Sequence, residues 1–293
     1  MEKIGLVAEA TTDLPEPIIK KHKIAVVPVK LDWPELEGIP GENTFQKMRE
    51  LERRGIKSFG KTSQPSPKDY LNQYKFQLER FTEIICLPIT SKLSGSYNSA
   101  VMAKSFLRPE DQKRIFVVDS QSGSSGQALI VLKAADLIKK EGSAEEIVRE
   151  LEEFIPKVHF FLMLDDPKWL EASGRISHLI AAFLRRLGKS GIRPLLSFKR
   201  GLLVPAGIKM GAKDIPTALF KQFQKEVQKS RTTGKKNKVA ITHGDDQEGA
   251  QRLQEMIEEE FKNVEIVFVN TLGNVLAAPA GPNSMTIAWH EID

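Results

Sequence analysis

Short apolar runs alternate with longer stretches of helical period along this chain. KIGLVAEA (3–10), IAVVPVKLDW (24–33), EIICLPI (83–89) and RIFVVDS (114–120) read as strands. Between them, LPEPIIKKH (14–22), TFQKMRELERRG (44–55), SPKDYLNQYKFQLERF (66–81), NSAVMAKSFL (98–107) and GQALIVLKAADLIKKEG (126–142) read as helices. The helix over 143–157 opens on Ser-x-x-Glu, the pattern of a capping box. Strand–helix alternation predicts βα units and a mainly parallel sheet. Near residue 158 the rhythm changes. VHFFLML (158–164), RPLLSF (193–198) and LLVPAGIK (202–209) are strands with a single helix among them, which predicts a mixed or antiparallel sheet. Two helix–strand pairs follow, 215–229 with KVAITH (238–243) and 248–261 with VEIVFVN (264–270). The expected fold is therefore α/β in two domains: residues 1–157 around a parallel sheet, and residues 158–293 around a mixed one.

The 293 residues are 41% hydrophobic and 28% charged, an ordinary globular balance. No run approaches the roughly 18 apolar residues of a membrane span. The first residues, MEKIGLVAEATTDL, carry no basic leader with an apolar core, so a cytoplasmic protein is expected. The one cysteine, Cys86, lies within an apolar run and reads as core. The net charge is +5, and the clearest basic cluster is RTTGKKNK (231–238). Without interleaved aromatics or a recognisable nucleic-acid module, no nucleic-acid partner is expected. A transient contact with a membrane surface fits that balance better.

Three polar loops sit where an open α/β sheet gathers ligands: KTSQPSP (61–67), TSKLSGSYNSA (90–100) and DSQSGSSGQA (119–128). Each leads into a helix N-terminus, where free N–H groups favour an anion. Ser94 as a nucleophile is disfavoured, because Leu93-Ser94-Gly95 lacks the first glycine of G-x-S-x-G and only His243 follows a strand as a base could. No histidine pair has metal-ligand spacing, and no glycine pattern marks a nucleotide loop, so neither metal nor cofactor is expected. What remains is a cradle of hydroxyls and amides for a small anion, or a set of ordinary helix caps.

The order and spacing of these motifs resemble the DegV family of bacterial fatty-acid-binding proteins, carrier subunits of fatty acid kinase. The matching segments are TTDLP (11–15), KTSQPSP, TSKLSGSYNSA, VVDSQSGSSGQA (117–128), WLEASGRIS (169–177), RPLLSFKRGLLVPAGIK (193–209), ITHGDDQEGAQRL (241–253) and AAPAGPNS (277–284). The resemblance implies a two-domain carrier, not an enzyme, whose second domain closes an apolar tunnel around one fatty acid. It implies carboxylate ligands at Thr62 and Ser94, with Ser63, Gly95 and Ser96 behind them and Arg175 of SGRIS alongside. It also implies a separate kinase partner that phosphorylates the bound acid, feeding phospholipid synthesis. Three departures stand out. Glu9-Ala10 replaces the family's usual Asp-Ser, Pro279 stands where the family has histidine, and Met210 where it has arginine. They leave a second expectation: a diverged member that binds another lipid-like acid without kinase coupling.

Overall fold

The computed structural model describes residues 2–189, 192–210, 214–233 and 235–292. The first apolar run forms β1 (Glu2–Glu9), buried from Ile4 onward, as a strand covered on both faces must be. Then come α1 (Glu16–Lys21), β2 (Ala25–Val27), β3 (Lys30–Asp32), α2 (Thr44–Arg53), β4 (Lys61–Ser63), α3 (Pro67–Leu78) and β5 (Phe81–Leu87). The chain continues through α4 (Ser96–Ser105), α5 (Pro109–Gln112), β6 (Ile115–Val117), α6 (Ser124–Ile138) and α7 (Ala144–Phe154). The later part comprises β7 (His159–Met163), α8 (Lys168–Ala172), α9 (His178–Lys189), β8 (Ile192–Lys199), β9 (Leu202–Met210) and α10 (Ile215–Thr233). It ends with β10 (Lys236–His243), α11 (Gln247–Glu260), β11 (Val264–Thr271), α12 (Asn274–Ala280) and β12 (Met285–Ile292).

The run 24–33 is not one strand. Pro28 has no N–H for a ladder, and the chain divides there into β2 and β3. The region between β7 and β8 holds two helices where one was expected, separated by a turn in which Gly174 takes φ +72. The expected capping box of Ser143 with Glu146 on α7 is formed, and Ser66 makes another with Asp69 on α3.

Contacts divide the chain into two units. Unit 1 comprises 1–30, 63–158 and 198–202; unit 2 comprises 31–62, 159–197 and 203–293. A main crossing at 158/159 lies beside the division read from the sequence. The segment 31–62, carrying α2, and the hairpin tip 198–202 are the two excursions from simple halves.

Unit 1 is built on a parallel sheet ordered β2–β1–β5–β6, with Val7 opposite both Ala25 and Cys86, and Cys86 opposite Val117. Val7, Ile84, Ile115, Tyr70 and Tyr74 pack together in its core. Unit 2 is built on a mixed sheet ordered β11–β10–β12–β7–β8–β9. Here β10 pairs parallel with β11, while β12 runs antiparallel to both β10 and β7. Trp289, Phe223, Phe161 and Ile241 centre its core. Each such side chain taken fully out of water contributes about 1.5–3 kcal/mol, so the two sheets carry their own hydrophobic stabilisation. β3 and β4 form a separate two-stranded ribbon.

Candidate functional site

In unit 2, the start of the KTSQPSP motif places Thr62 on β4, half-buried. After α8, the left-handed Gly174 turns the chain so that Arg175 points back, and its Nη2 donates to Thr62 Oγ1 at 2.8 Å. Arg175 is half-buried, and burial alone pulls its pKa below the ordinary arginine value. Other cations of this unit have taken carboxylates. Arg185 pairs with Glu171, Arg49 with Asp245 and Lys168 with Glu52. Among the described residues no carboxylate pairs with Arg175, so the structural ion pair that is the ordinary use of such an arginine is not made here. A desolvated guanidinium without a counter-charge is costly unless an anion reaches it. The Thr62 oxygen accepts from Arg175, which leaves its own O–H to donate. Together they present a positive charge and a hydroxyl proton, the chemistry of a carboxylate receptor.

In unit 1, β5 ends at Leu87 and the chain turns through 88–95 into α4. The hydroxyls of this turn divide by role. Thr90 Oγ1 donates to Gly201 O at 2.9 Å, and Ser91 Oγ donates to Asp119 Oδ2 at 2.6 Å. Those two fasten the loop. Ser94, half-buried, has its Oγ 2.8 Å from Ser96 Oγ and accepts the Ser96 N–H at 3.2 Å. Gly95 occupies the N-cap position of α4, and no side chain caps that helix. A Cβ on Gly95 would lie 2.0 Å from Gln64 Oε1, so glycine allows Gln64 of the TSQPS motif to pack directly on the loop. The Gln64 amide also donates to Ser99 Oγ at 3.2 Å. Ser63, beside it, is exposed on β4. Of the candidate residues, then, Thr62 and Arg175 come together in one unit, and Ser94, Gly95 and Ser96 in the other.

The third polar loop is fastened internally. Asp119 accepts from the Gln121 N–H as well as from Ser91, and Ser124 Oγ donates to Asp13 Oδ2 at 2.6 Å. His243 is buried, and its Nδ1 accepts the Asp246 N–H at 3.1 Å. That is the bond of a structural histidine, and burial lowers its pKa further. Pro279 lies buried inside the short α12, whose C-terminal Gly281 has φ +76 with Trp169 pressed against it. Among the described residues no three His, Cys, Asp or Glu side chains could together hold a metal ion. The side chains of Met210 and of 231–233 in the basic cluster, and Gly234, lie outside the described residues.

Sequence reasoning did not mark one further residue near the loop as chemistry. Glu9 closes β1 and is fully buried. Its carboxylate accepts from Tyr70 Oη, from Thr11 Oγ1 at 3.0 Å and from the Ile89 N–H at 3.4 Å. Burial raises its pKa above the usual carboxylate range against the pull of those donors. The signal was present: an acidic side chain directly after the apolar run Ile4–Ala8.

Against known proteins, the DegV family model matches residues 3–291. The chain belongs to the DegV family. It is 26% identical to the fatty acid-binding protein of Thermotoga maritima, over 97% of this chain and 96% of that one. It is equally identical, 26%, to protein DegV of Bacillus subtilis, over 98% of both. The structure of a DegV family protein from Thermus thermophilus, described as fatty acid binding, superposes with a TM-score of 0.80 at 27% identity, covering 99% of this chain and all of that one. A stearic acid-binding protein from Eubacterium ventriosum shares the fold, with a TM-score of 0.81 at 24% identity over 99% and 98% of the two chains. DegV architecture therefore extends over the whole chain, including the α12–β12 segment that the sequence pattern left unassigned.

Proposed function

We propose that this protein binds one long-chain fatty acid, with Thr62 and Ser94 as carboxylate ligands, Ser63, Gly95, Ser96 and Arg175 as supporting contacts, and hands it to a separate kinase for conversion to the acyl phosphate. The observation that carries the reading is Arg175, half-buried, donating to Thr62 Oγ1 and paired with no carboxylate among the described residues. Relatives of 26–27% identity named as fatty acid-binding proteins support the same ligand class. In this reading the protein is a carrier: hydroxyls and a guanidinium hold the head group, burial of the acyl chain adds roughly 0.8 kcal/mol per CH₂, and the partner brings the phosphoryl donor. Cytoplasmic residence and a brief visit to a membrane surface during lipid exchange belong to the same proposal.

Mass spectrometry of an organic extract of the purified protein tests it. A stoichiometric long-chain acid is expected, and its loss from the Thr62→Ala/Ser94→Ala double variant. An undiminished load in that variant would remove these residues from the site. A kinase assay on loaded protein tests the handover through formation of acyl phosphate.

Pro279 favours a second reading. Proline's side chain neither donates a hydrogen bond nor takes a proton. A protein that retains its lipid but yields no acyl phosphate with the cognate kinase is then a storage or transport member, and recovery of a different lipid-like acid in the extract would extend that reading to the ligand.

A further inference from the structure

The loop that carries Ser94 is fixed by a residue whose own hydroxyl is already committed. Thr90, four positions earlier, is fully buried and uses every polar atom it has. Its N–H donates to Ser122 O at 2.9 Å, and its carbonyl accepts the Leu93 N–H at 3.1 Å, closing the turn that delivers Ser94. Its hydroxyl accepts the Lys92 N–H at 3.3 Å and donates to Gly201 O at 2.9 Å. One residue thus joins three segments: its own loop, the 119–128 loop, and the tip between β8 and β9.

The tip is shaped for that contact. Arg200 at φ +49 and Gly201 at φ +79 form a two-residue turn of the kind hairpins favour. A Cβ on Gly201 would lie 2.5 Å from Thr90 Oγ1, 3.3 Å from Lys92 Cγ and 3.6 Å from Gln121 Cα. Glycine therefore lets the backbone lie between these loops with its carbonyl on the Thr90 hydroxyl. The tip is grouped with unit 1, the body that carries Ser94. Ser94 has little of its own to hold it: among the described residues its Oγ bonds only to Ser96, at 2.8 Å to the hydroxyl and 3.2 Å to the N–H. A ligand group held so lightly depends on the backbone beneath it.

We propose that Thr90 is a positioning residue for the fatty acid head group: fixed by the Gly201 carbonyl, it sets the turn that brings the Ser94 hydroxyl to the carboxylate. The inference rests on the function proposed above. A carboxylate gains a charge-assisted hydrogen bond only from a donor that is in place. A donor held there before binding loses less freedom on binding. Coupling is reciprocal, so a bound carboxylate tightens the Thr90–Gly201 contact in turn. An acyl chain without a carboxylate does neither.

Calorimetric titration of delipidated protein with dodecanoate and with dodecanol tests the idea, the readout being the ratio of the two affinities. Thr90→Val keeps the side-chain shape and removes the hydroxyl. It is expected to lower the ratio about tenfold, the worth of one hydrogen bond to a charged group. Thr90→Ser, which keeps the hydroxyl, is expected to restore it. A wild-type ratio in Thr90→Val overturns the inference. So does a loss shared equally by acid and alcohol, which is what a merely structural residue gives, and so does a Thr90→Ser ratio as low as that of Thr90→Val. Should Thr90→Val fail to fold, hydrogen exchange of the wild type decides. Loading with dodecanoate is expected to slow exchange over 90–95 and over 198–202 more than loading with dodecanol does, and no acid-specific slowing over 198–202 overturns the role. A wild type that binds acid and alcohol alike, or a Ser94→Ala variant with the wild-type ratio, removes the proposed carboxylate site itself, and this inference with it.

Discussion

At the scale of single residues, Arg175 and Glu9 are ionisable groups with no opposite charge paired to them among the described residues. Arg175 donates to a threonine hydroxyl where an arginine in this setting normally meets a carboxylate. If it were structural, removing it would destabilise the fold. Held for a ligand, it is a desolvation cost to the empty protein. Arg175→Leu is therefore expected to leave the stability of delipidated protein unchanged or raise it by about 1 kcal/mol, while lowering the fatty acid load recovered on purification. Chemical denaturation beside lipid extraction checks both, and a loss of several kcal/mol would mark the residue as structural. Glu9 makes a second, pH-dependent statement. Its folded pKa is raised by burial above the usual carboxylate value. The stability it lends is thus complete below the unfolded pKa, near 4.3 for a free Glu side chain, and lost as pH rises through the folded value. The difference in unfolding free energy between Glu9→Gln and wild type should move in favour of the variant over that window, by about 1.4 kcal/mol for each pH unit that separates the folded and unfolded pKa values. Urea titrations at a series of pH values measure it, and a pH-independent difference would mean the two states hold the same proton.

At the scale of elements, glycines beside the candidate groups decide which loops can take these shapes. Gly281 ends α12 at φ +76, and a Cβ there would fall 2.0 Å from Trp169 Cδ1, in the body of a buried ring. Gly281→Ala meets both backbone strain and a rigid neighbour, so a loss of about 1–3 kcal/mol is expected in thermal or urea unfolding. Gly95→Ala differs in kind. Its φ is −74 and the obstacle is the end of the Gln64 side chain, so the substitution should displace Gln64 from Ser99 with a smaller effect on stability. These elements also show what could be read in advance. β1, β5, β6 and α7 were legible because apolar runs and a Ser-x-x-Glu box are local signals. β12 was not, although it lies between β10 and β7 in the second sheet. Its MTIAWHEI is buried through His290, on both faces, so the polar alternation that marks a strand is missing. Among the candidate residues, sequence motifs marked Thr62 and Ser94. The pairing of Arg175 with Thr62, 113 positions apart, depends on a chain crossing that no local pattern carries.

At the scale of the whole molecule, the proposed function asks the chain to hold a ligand that is a poor solute and to remain folded after giving it up. Each unit has its own sheet and its own buried core, and among the described residues no helix is long and apolar enough to cross a membrane. Folding without lipid is the expected outcome, with stability that responds to lipid. A ligand bound by the native state alone stabilises by RT ln(1 + [L]/Kd), about 2.7 kcal/mol at a hundredfold excess over Kd. For a chain of this size that corresponds to a rise of roughly 4–5 °C in the unfolding midpoint. Delipidated protein is therefore expected to unfold in a cooperative transition at lower temperature, and to regain the higher midpoint on addition of hexadecanoate but not of hexadecanol, which has the chain without the carboxylate. Scanning calorimetry of the loaded, stripped and reloaded protein makes the comparison. Equal rises with acid and alcohol would place the affinity in the acyl chain alone, and the Thr62, Ser94 and Arg175 groups would then need another ligand. A rise with the acid only, lost in the Thr62→Ala/Ser94→Ala variant, ties the stability of the whole chain to a few hydroxyls and one guanidinium.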